Sequence, residues 1–355
     1  MSEIKKSFTT EKYVVSHPVQ LEQDGWRLDQ FVMKCMPTLS REFLKKKIDK
    51  GEVEISGRKS PHKPSVKVHF GERITITTHN DGMIEEEFWY GKVVPKTAEP
   101  TIIFEDIGLL ATNKPPYMIT HPAGKNLFYC ATVFFETIYK KTIHSIHRLD
   151  RETSGILLLA KNPQTAQQVA VLFEEDKVRK CYFFIAHKNP GATPFPFTAK
   201  EKLDRKEGAI PEAMMFTFPE ESEFGKESET HFECLLEKDG YVLVLAFPLT
   251  GRQHQIRVHA AAHGYPLLGD KLYNGDPGVF LRFKDNKASD EDHEKMQIPR
   301  QALHAAALKL LYLGKQKHFI APLPADLTDW LEEKLDLKFS EVELLMEKRI
   351  LEFLS

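Results

Sequence analysis

The 355-residue chain holds only four cysteines, Cys35, Cys130, Cys181 and Cys234, and no two of them form a Cys-x-x-Cys pair. That spacing argues against a zinc ribbon or a disulfide framework and suits a reducing compartment. Long apolar runs are missing too: no stretch approaches the roughly 20 residues that a membrane helix needs. The opening MSEIKKSFTTEKY lacks the apolar core of a secretory signal. A soluble, cytoplasmic protein with no membrane partner is therefore expected. Charge of one sign is also lacking, because 49 Lys and Arg against 51 Asp and Glu leave a formal net charge of −2. Bulk charge predicts neither nucleic-acid nor membrane binding, so any basic surface must be local. No internal repeat is visible.

What is present is an ordinary globular composition, 41% hydrophobic and 28% charged, in a chain long enough for two domains or for one large domain with a small appendage. Residues 1–25 are expected to form a flexible N-terminal segment. Residues 26–80 read as a small basic module. Leu28, Phe31, Val32 and Cys35 fall at helical spacing, and Ser40 is a good N-cap for a second helix that runs to Lys50 and stops at Gly51. VEISGRK then reads as a strand and a turn, and ERITITTHN as another alternating strand. Nine Lys or Arg and five Asp or Glu between Trp26 and Ser60 leave that stretch locally +4. Residues 81–100, DGMIEEEFWYGKVVPKTAEP, read as a linker.

Residues 101–355 read as a large domain of mixed strands and helices. IIFEDIGLLATNKPPYMITHP predicts strand, turn, strand and a proline-bounded loop; GILLLAKN and KCYFFIAHK predict buried strands with the helix TAQQVAVLFEEDKV between them. YVLVLAFPLTGRQHQIRVHAAAHG predicts a strand, a loop and a helix. PEESEFGKESE and KDNKASDEDHEK are expected to be solvated surface insertions. PRQALHAAAL, taken alone, predicts a helix with a polar start, and residues 325–355 predict amphipathic helix.

Chemistry concentrates in two places. In HRLDRETSG, residues 147–155, Asp150 stands among cations and just before the apolar ILLLA. Cations favour the ionised carboxylate and desolvation opposes it, a combination that suits a nucleophile held charged but poorly hydrated. A surface ion pair is the alternative reading. In PLTGRQHQIRVHAAAHGYPLLGDKLY, residues 248–273, Arg252, His254, Gln255, Arg257, His259 and His263 crowd among three glycines. Two arginines can grip phosphates or orient a buried acid. His259 and His263 stand one helical turn apart, so a zinc pair must be weighed; HAAAH lacks a third ligand and the glutamate of an HExxH site, which favours a core role. Tyr182 in KCYFFIAHK could stack on a base, or simply fill the core.

In this order the motifs resemble the RluA family of pseudouridine synthases. HRLDRETSG is similar to that family's catalytic-Asp motif, KCYFFIA to its Lys-x-Tyr segment and LTGRQHQIRVH to its arginine motif; NKPPYMITHPAGKN, GYPLLGDKLY, PRQALHA and FIAPLPADL also recur in order. RLDQFVMKCMPTLSREFLKKKIDKGEVEISGRK resembles an S4 RNA-binding domain. The resemblance implies an α+β fold: a mixed, mostly antiparallel sheet platform (101–355) with a central cleft, plus the small α/β S4-like domain (26–80). It implies isomerisation of uridine in RNA, ribosomal RNA favoured over transfer RNA, by a monomer without cofactor or metal. Asp150 would be the nucleophile or the group that promotes glycosidic cleavage, Arg257 its ion-pair partner, and Tyr182 the ring against the target base. Arg148 would fill the space that the flipped nucleotide leaves, Arg252 and His254 would line the pocket or touch phosphate, and Arg27, Arg41, Lys45 and Lys46 would bind RNA from the S4-like module.

Two departures stand out: the segment between residues 189 and 240 is long and acidic, and Gln253 replaces a small hydroxyl residue in LTGRQHQ. Acid near RNA repels it, so this insertion is expected to point away from the RNA or to restrict which RNAs bind. A non-catalytic RNA-binding protein on the same scaffold has no need of the Asp150, Tyr182 and Arg257 set. A glycosidase would want two carboxylates at a defined separation, and only one acid here sits in a chemically suggestive motif.

Overall fold

The computed structural model describes residues 5–8, 11–36, 40–80, 87–96, 98–123, 128–276 and 278–354. Contacts divide the chain into two units, Met1–Glu85 with Ile119–Ile143, and Glu86–Met118 with His144–Ser355.

The first unit carries β1 (Lys5–Phe8), β2 (Lys12–Pro18), β3 (Val53–Ile55) and β4 (Arg73–His79) in an antiparallel sheet of order β1-β2-β4-β3. Its helices are α1 (Leu28–Cys35), α2 (Arg41–Asp49) and α3 (Ala131–Tyr139). Ser40 caps α2 as expected, its Oγ accepting from the Phe43 amide at 3.2 Å. Leu28, Phe31, Val32, Leu44 and Ile48 pack against Val15, Val53, Ile55, Ile74 and Ile76, each burial contributing about 1.5–3 kcal/mol.

Two boundaries differ from the sequence reading. The N-terminal segment supplies two strands of this sheet, because Tyr13 and Val15 alternate inward between polar neighbours; so short an alternation is easily lost among polar residues. Residues 119–143, expected in the large domain, cluster with this unit, and Phe128 joins its core.

The second unit is built on a ten-stranded sheet. Its strands are β7 (Thr101–Glu105), β8 (Leu109–Lys114), β9 (His144–Ser145), β10 (Ser154–Ala160), β11 (Arg179–His187), β12 (Phe197–Ala199), β15 (Thr230–Lys238), β16 (Tyr241–Pro248), β17 (Leu303–Tyr312) and β18 (Lys315–Ile320). The order is β12-β15-β16-β11-β17-β10-β8-β7, with β18 on β17 and β9 on β10. The β10–β17 pair is parallel and the other pairings are antiparallel, so the expected mixed, mostly antiparallel α+β platform is what forms. Two small hairpins stand apart, β5–β6 (Phe88–Trp89, Lys92–Val93) and β13–β14 (Lys202–Asp204, Phe216–Phe218). The helices are α4 (Pro163–Glu174), α5 (Gln255–Ala262), α6 (Gly278–Lys284), α7 (Asp290–Met296), α8 (Ala325–Leu335) and α9 (Phe339–Leu354).

Strand alternation sorts side chains to the two faces. Cys181, Phe183 and Ile185 of β11 pack with Leu327, Trp330, Val342 and Met346 of α8 and α9. Phe184 and Ala186 face α5, with Ile256, Ala260, Phe197, Phe232 and Tyr265, and Tyr182 packs on that same side. The ILLLA run of β10 is buried along its whole length, because α4 and the neighbouring strands cover it. Gly155 opens this strand at φ +109°. A Cβ there would lie 2.2 Å from the Ala305 carbonyl oxygen and 2.7 Å from its amide nitrogen; only glycine admits β17 this closely.

Four sequence expectations change. PRQALHAAAL forms no helix: residues 303–312 are β17, whose Ala305, Ala306 and Ala307 are buried at the sheet centre, so tertiary burial overrides alanine's helix preference. KDNKASDEDHEK is more than a solvated insertion, since Ser289 and Asp292 form a capping box on α7, and Asp292 and His293 are buried. The expected linker contains the β5–β6 hairpin, whose Trp89 and Tyr90 rings stack on Phe283 and His293; residues 81–86 and 97 lie outside the described residues. The C-terminal helix is two, broken at Asp336 with φ +47°.

Candidate active site

Asp150 lies in the loop between β9 and β10. The Thr153 amide donates to the Asp150 carbonyl at 3.1 Å, closing a tight turn over DRET. The turn is held from several sides. Gln301 donates to Thr153 Oγ1 (2.9 Å), and its amide donates to Glu152 Oε2 (3.0 Å). Buried Lys114, the last residue of β8, donates to the Arg151 carbonyl at 3.3 Å. Fully buried Arg300 donates to the Glu152 carbonyl at 3.0 Å and binds Asp326 of α8 through two nitrogens at 2.5 and 2.9 Å. His147 accepts the Leu158 amide at 2.9 Å and stacks on Phe173; burial pushes its ring down to about 3, so it stays neutral. The first residue of the motif is therefore structural.

Arg257 reaches the acid from α5. Its Nη1 donates to Asp150 Oδ2 at 3.1 Å, while Nε and Nη2 grip Asp270 Oδ2 and Oδ1 at 2.6 and 2.8 Å. Asp270 is wholly buried and also accepts the Leu272 and Tyr273 amides at 3.0 and 3.2 Å. This bidentate fork fixes the guanidinium plane, leaving one nitrogen aimed at Asp150. Burial acts to raise the Asp150 carboxyl. The charges of His254 and Arg257, with hydrogen bonds from Arg257 and Gln301, outweigh it and hold the group below its ordinary value. His254 is itself pushed down to about 4, by burial first and then by Arg257. At neutral pH its ring carries no charge, so Arg257 is the cation that keeps Asp150 ionised.

Around this pair lies a cavity of 110 Å³, lined by Arg148, Asp150, Lys180, Tyr182, Arg252, His254 and Arg257. The six large-domain residues singled out from the sequence thus converge on one cleft. Burial raises the Tyr182 phenol well above its usual value, so at neutral pH the ring is an uncharged stacking surface. Arg148 is exposed at the rim. Arg252 is exposed and donates to the Glu227 carbonyl at 2.9 Å. Lys180, two residues before Tyr182, donates to the Leu249 and Thr250 carbonyls at 3.0 and 3.1 Å, which anchors the loop leading into α5.

Gln255, His259 and His263 prove to be framework. Gln255 accepts from Thr250 and the Arg252 amide and donates to Glu229 and Thr230. His259 is bonded to Ser228, Thr230 and the Glu201 carbonyl, and His263 to Thr193 and Glu201. Among the described residues no group of three or more His, Cys, Asp or Glu could hold a metal ion. Gln253 is exposed and accepts from Arg205 at 3.2 Å. In the first unit, Arg27 and Arg41 both bind buried Asp29, at 3.0 and 3.4 Å, and Lys46 pairs with Glu42 at 3.2 Å; Lys45 is half-buried.

Asp270 went unselected in the sequence although its motif, GYPLLGDKLY, was noted. A single acid between glycine and lysine reads as a turn, and only burial reveals it as the anchor of Arg257. Tyr273 and Gln301 were missed in the same way, inside motifs noted as recurring.

The sequence model of the RNA pseudouridylate synthase family matches residues 108–262, a span that holds Asp150, Tyr182 and Arg257. The ribosomal large subunit pseudouridine synthase D of Buchnera aphidicola subsp. Schizaphis graminum is 32% identical over 320 residues, covering 86% of this chain and 93% of that protein. The chain belongs to the RNA pseudouridylate synthase family. This makes it an RNA pseudouridine synthase, an isomerase. The synthase D of Pasteurella multocida is 29% identical over 343 residues and covers 93% of this chain and 98% of its own. The fold has solved counterparts: human RNA pseudouridylate synthase domain containing 4 superposes over 65% of this chain and 92% of its own, with a TM-score of 0.51 at 24% identity. Human RNA pseudouridylate synthase domain containing 1 gives the same TM-score at 23% identity. Among the described residues no helix is long and apolar enough to cross a membrane.

Proposed function

We propose that this synthase converts uridine to pseudouridine in large-subunit ribosomal RNA, and that Asp150 carries the reaction. The observation that carries the reading is the Asp150–Arg257–Asp270 chain: a carboxylate kept ionised in a buried cleft, beside a tyrosine face. The substrate preference rests on the relatives, ribosomal large subunit pseudouridine synthases that align over nearly their whole length.

The target nucleotide leaves its stack, at a cost of a few kcal/mol, and Arg148 at the rim takes its place in the RNA. Tyr182 stacks on the uracil. With Asp150 promoting cleavage, the N1–C1′ bond breaks, the base turns, and C5 joins C1′; the C5 hydrogen is released and N1 ends protonated, so product and substrate are isomers. Arg257 holds the carboxylate charged and aimed throughout, and Arg252 and His254 shape the wall. The chemistry takes no cofactor. Residues 26–80 act as an S4-type RNA-binding domain through Arg27, Arg41, Lys45 and Lys46, whose phosphate contacts would supply salt-sensitive affinity. The enzyme works as a cytoplasmic monomer.

The test is to map pseudouridines in ribosomal and transfer RNA from cells with and without this protein. Sites lost from large-subunit ribosomal RNA are expected. Loss confined to transfer RNA would overturn the substrate, and an unchanged map would overturn the function.

A further inference from the structure

The hairpin β13–β14 belongs to the long acidic segment that set this chain apart in sequence. The acidic stretch that follows the hairpin, residues 219–227, is largely exposed, but the hairpin itself is partly buried. Leu203 and Met215 form a small buried cluster with Val258 of α5, against which Tyr273 packs. The Met215 amide donates to Tyr273 Oη at 2.9 Å. That hydroxyl, already accepting, has its own hydrogen to give, and His254 Nδ1 stands 2.8 Å away. A neutral imidazole that accepts at Nδ1 carries its proton on Nε2. Nε2 faces Asp150 Oδ2 at 3.8 Å, too long for a hydrogen bond but close enough for attraction. His254 also holds φ +56° at the start of α5, a left-handed conformation uncommon for a residue with a side chain.

Resting on the reaction proposed above, we propose that the Lys202–Phe218 hairpin helps to aim Asp150, the Met215 amide and the Tyr273 hydroxyl setting the tautomer and plane of His254, a positioning residue for the carboxylate. The hairpin reaches the far side of the acid as well: Ala213 lines a second cavity of 210 Å³ whose wall includes Asp150, His254 and Arg257. The segment that distinguishes this chain is thereby built into the site rather than draped over it.

Single-turnover conversion of a large-subunit ribosomal RNA transcript by saturating full-length enzyme tests this, using His254→Asn, Tyr273→Phe and the double variant. Asparagine tolerates the left-handed backbone but cannot span Tyr273 and Asp150. His254→Asn is expected to slow the chemical step about tenfold, with RNA affinity and melting temperature near wild type. Tyr273→Phe should slow it less, and the double variant should be no slower than His254→Asn, because both remove one coupled unit. A His254→Asn enzyme at full rate, or independent multiplying effects, overturns the proposal; if Tyr273→Phe does not fold, His254→Asn alone decides. Ring-nitrogen NMR of His254 keeps this separate from the assigned reaction: the Nε2–H tautomer is expected in wild type and should be lost or mixed in Tyr273→Phe. An Nδ1–H tautomer in wild type refutes the relay even if the enzyme forms no pseudouridine, a result that would count against the reaction instead.

Discussion

Replacing Arg257 by lysine keeps the charge and removes the fork. Three nitrogens of Arg257 serve two carboxylates, two on Asp270 and one on Asp150; a single ammonium on a flexible stem cannot reproduce that geometry. The charge-assisted bond to Asp150 is worth about 1.5–3 kcal/mol. If it acts in the transition state, its loss slows turnover about 10- to 150-fold. Arg257→Ala goes further, leaving two carboxylates without their cation, and should cost about 3–5 kcal/mol of stability, or about 6–20 °C in melting temperature for a unit of this size. The pH dependence has a definite sign. In wild type Asp150 sits below its ordinary value of 3.8, so it is ionised across the neutral range. Without Arg257 the burial that opposes ionisation is no longer offset, the carboxyl rises, and the acid limb of the rate profile moves to higher pH. Single-turnover rates from pH 5 to 8, with circular-dichroism melts, read both effects. A lysine variant with wild-type rate and an unmoved acid limb would refute the role of the fork.

Gly155→Ala should cost about 2–6 kcal/mol, the sum of overpacking against Ala305 and a left-handed alanine, and a melt of the purified variant would read it. Lys180 is pushed from 10.5 down to about 8, chiefly by burial. The unfolded chain then binds more protons between those values, so stability rises with pH through that window; Lys180→Met should lack the rise in urea unfolding measured at pH 8 and pH 10. Exchanging Arg41, Lys45 and Lys46 for glutamine should lower RNA affinity and flatten its salt dependence by about 0.7–0.9 for each phosphate no longer neutralised, with single-turnover chemistry at saturation nearly unchanged; an unaltered salt slope in filter binding would remove these residues from the RNA-binding surface.

The parts of the site that were legible in sequence are those whose side chains have few other uses. An acid between arginines ahead of an apolar strand, a tyrosine at Lys-x-Tyr and arginines in a glycine-bounded loop all stood out, and all line one cavity. Strands with strong alternation or full burial, such as those around Phe183 and Leu157, were equally plain. What failed was what depends on distant partners. Ala305–Ala307 reads as helix until the sheet that buries it is known, and Tyr13 and Val15 are too few to announce a strand. Asp270 and Arg300 are charged residues whose burial rests on partners 13 and 26 residues away, and no local pattern announces that.

The claim on which everything else depends is that one carboxylate carries the isomerisation. Asp150→Asn preserves volume and removes the charge, leaving Arg257 its fork on Asp270. Incubated at saturation with a large-subunit ribosomal RNA transcript, this variant is predicted to bind the RNA as wild type does and to form no pseudouridine. Pseudouridine at a substantial fraction of the wild-type rate would contradict the account.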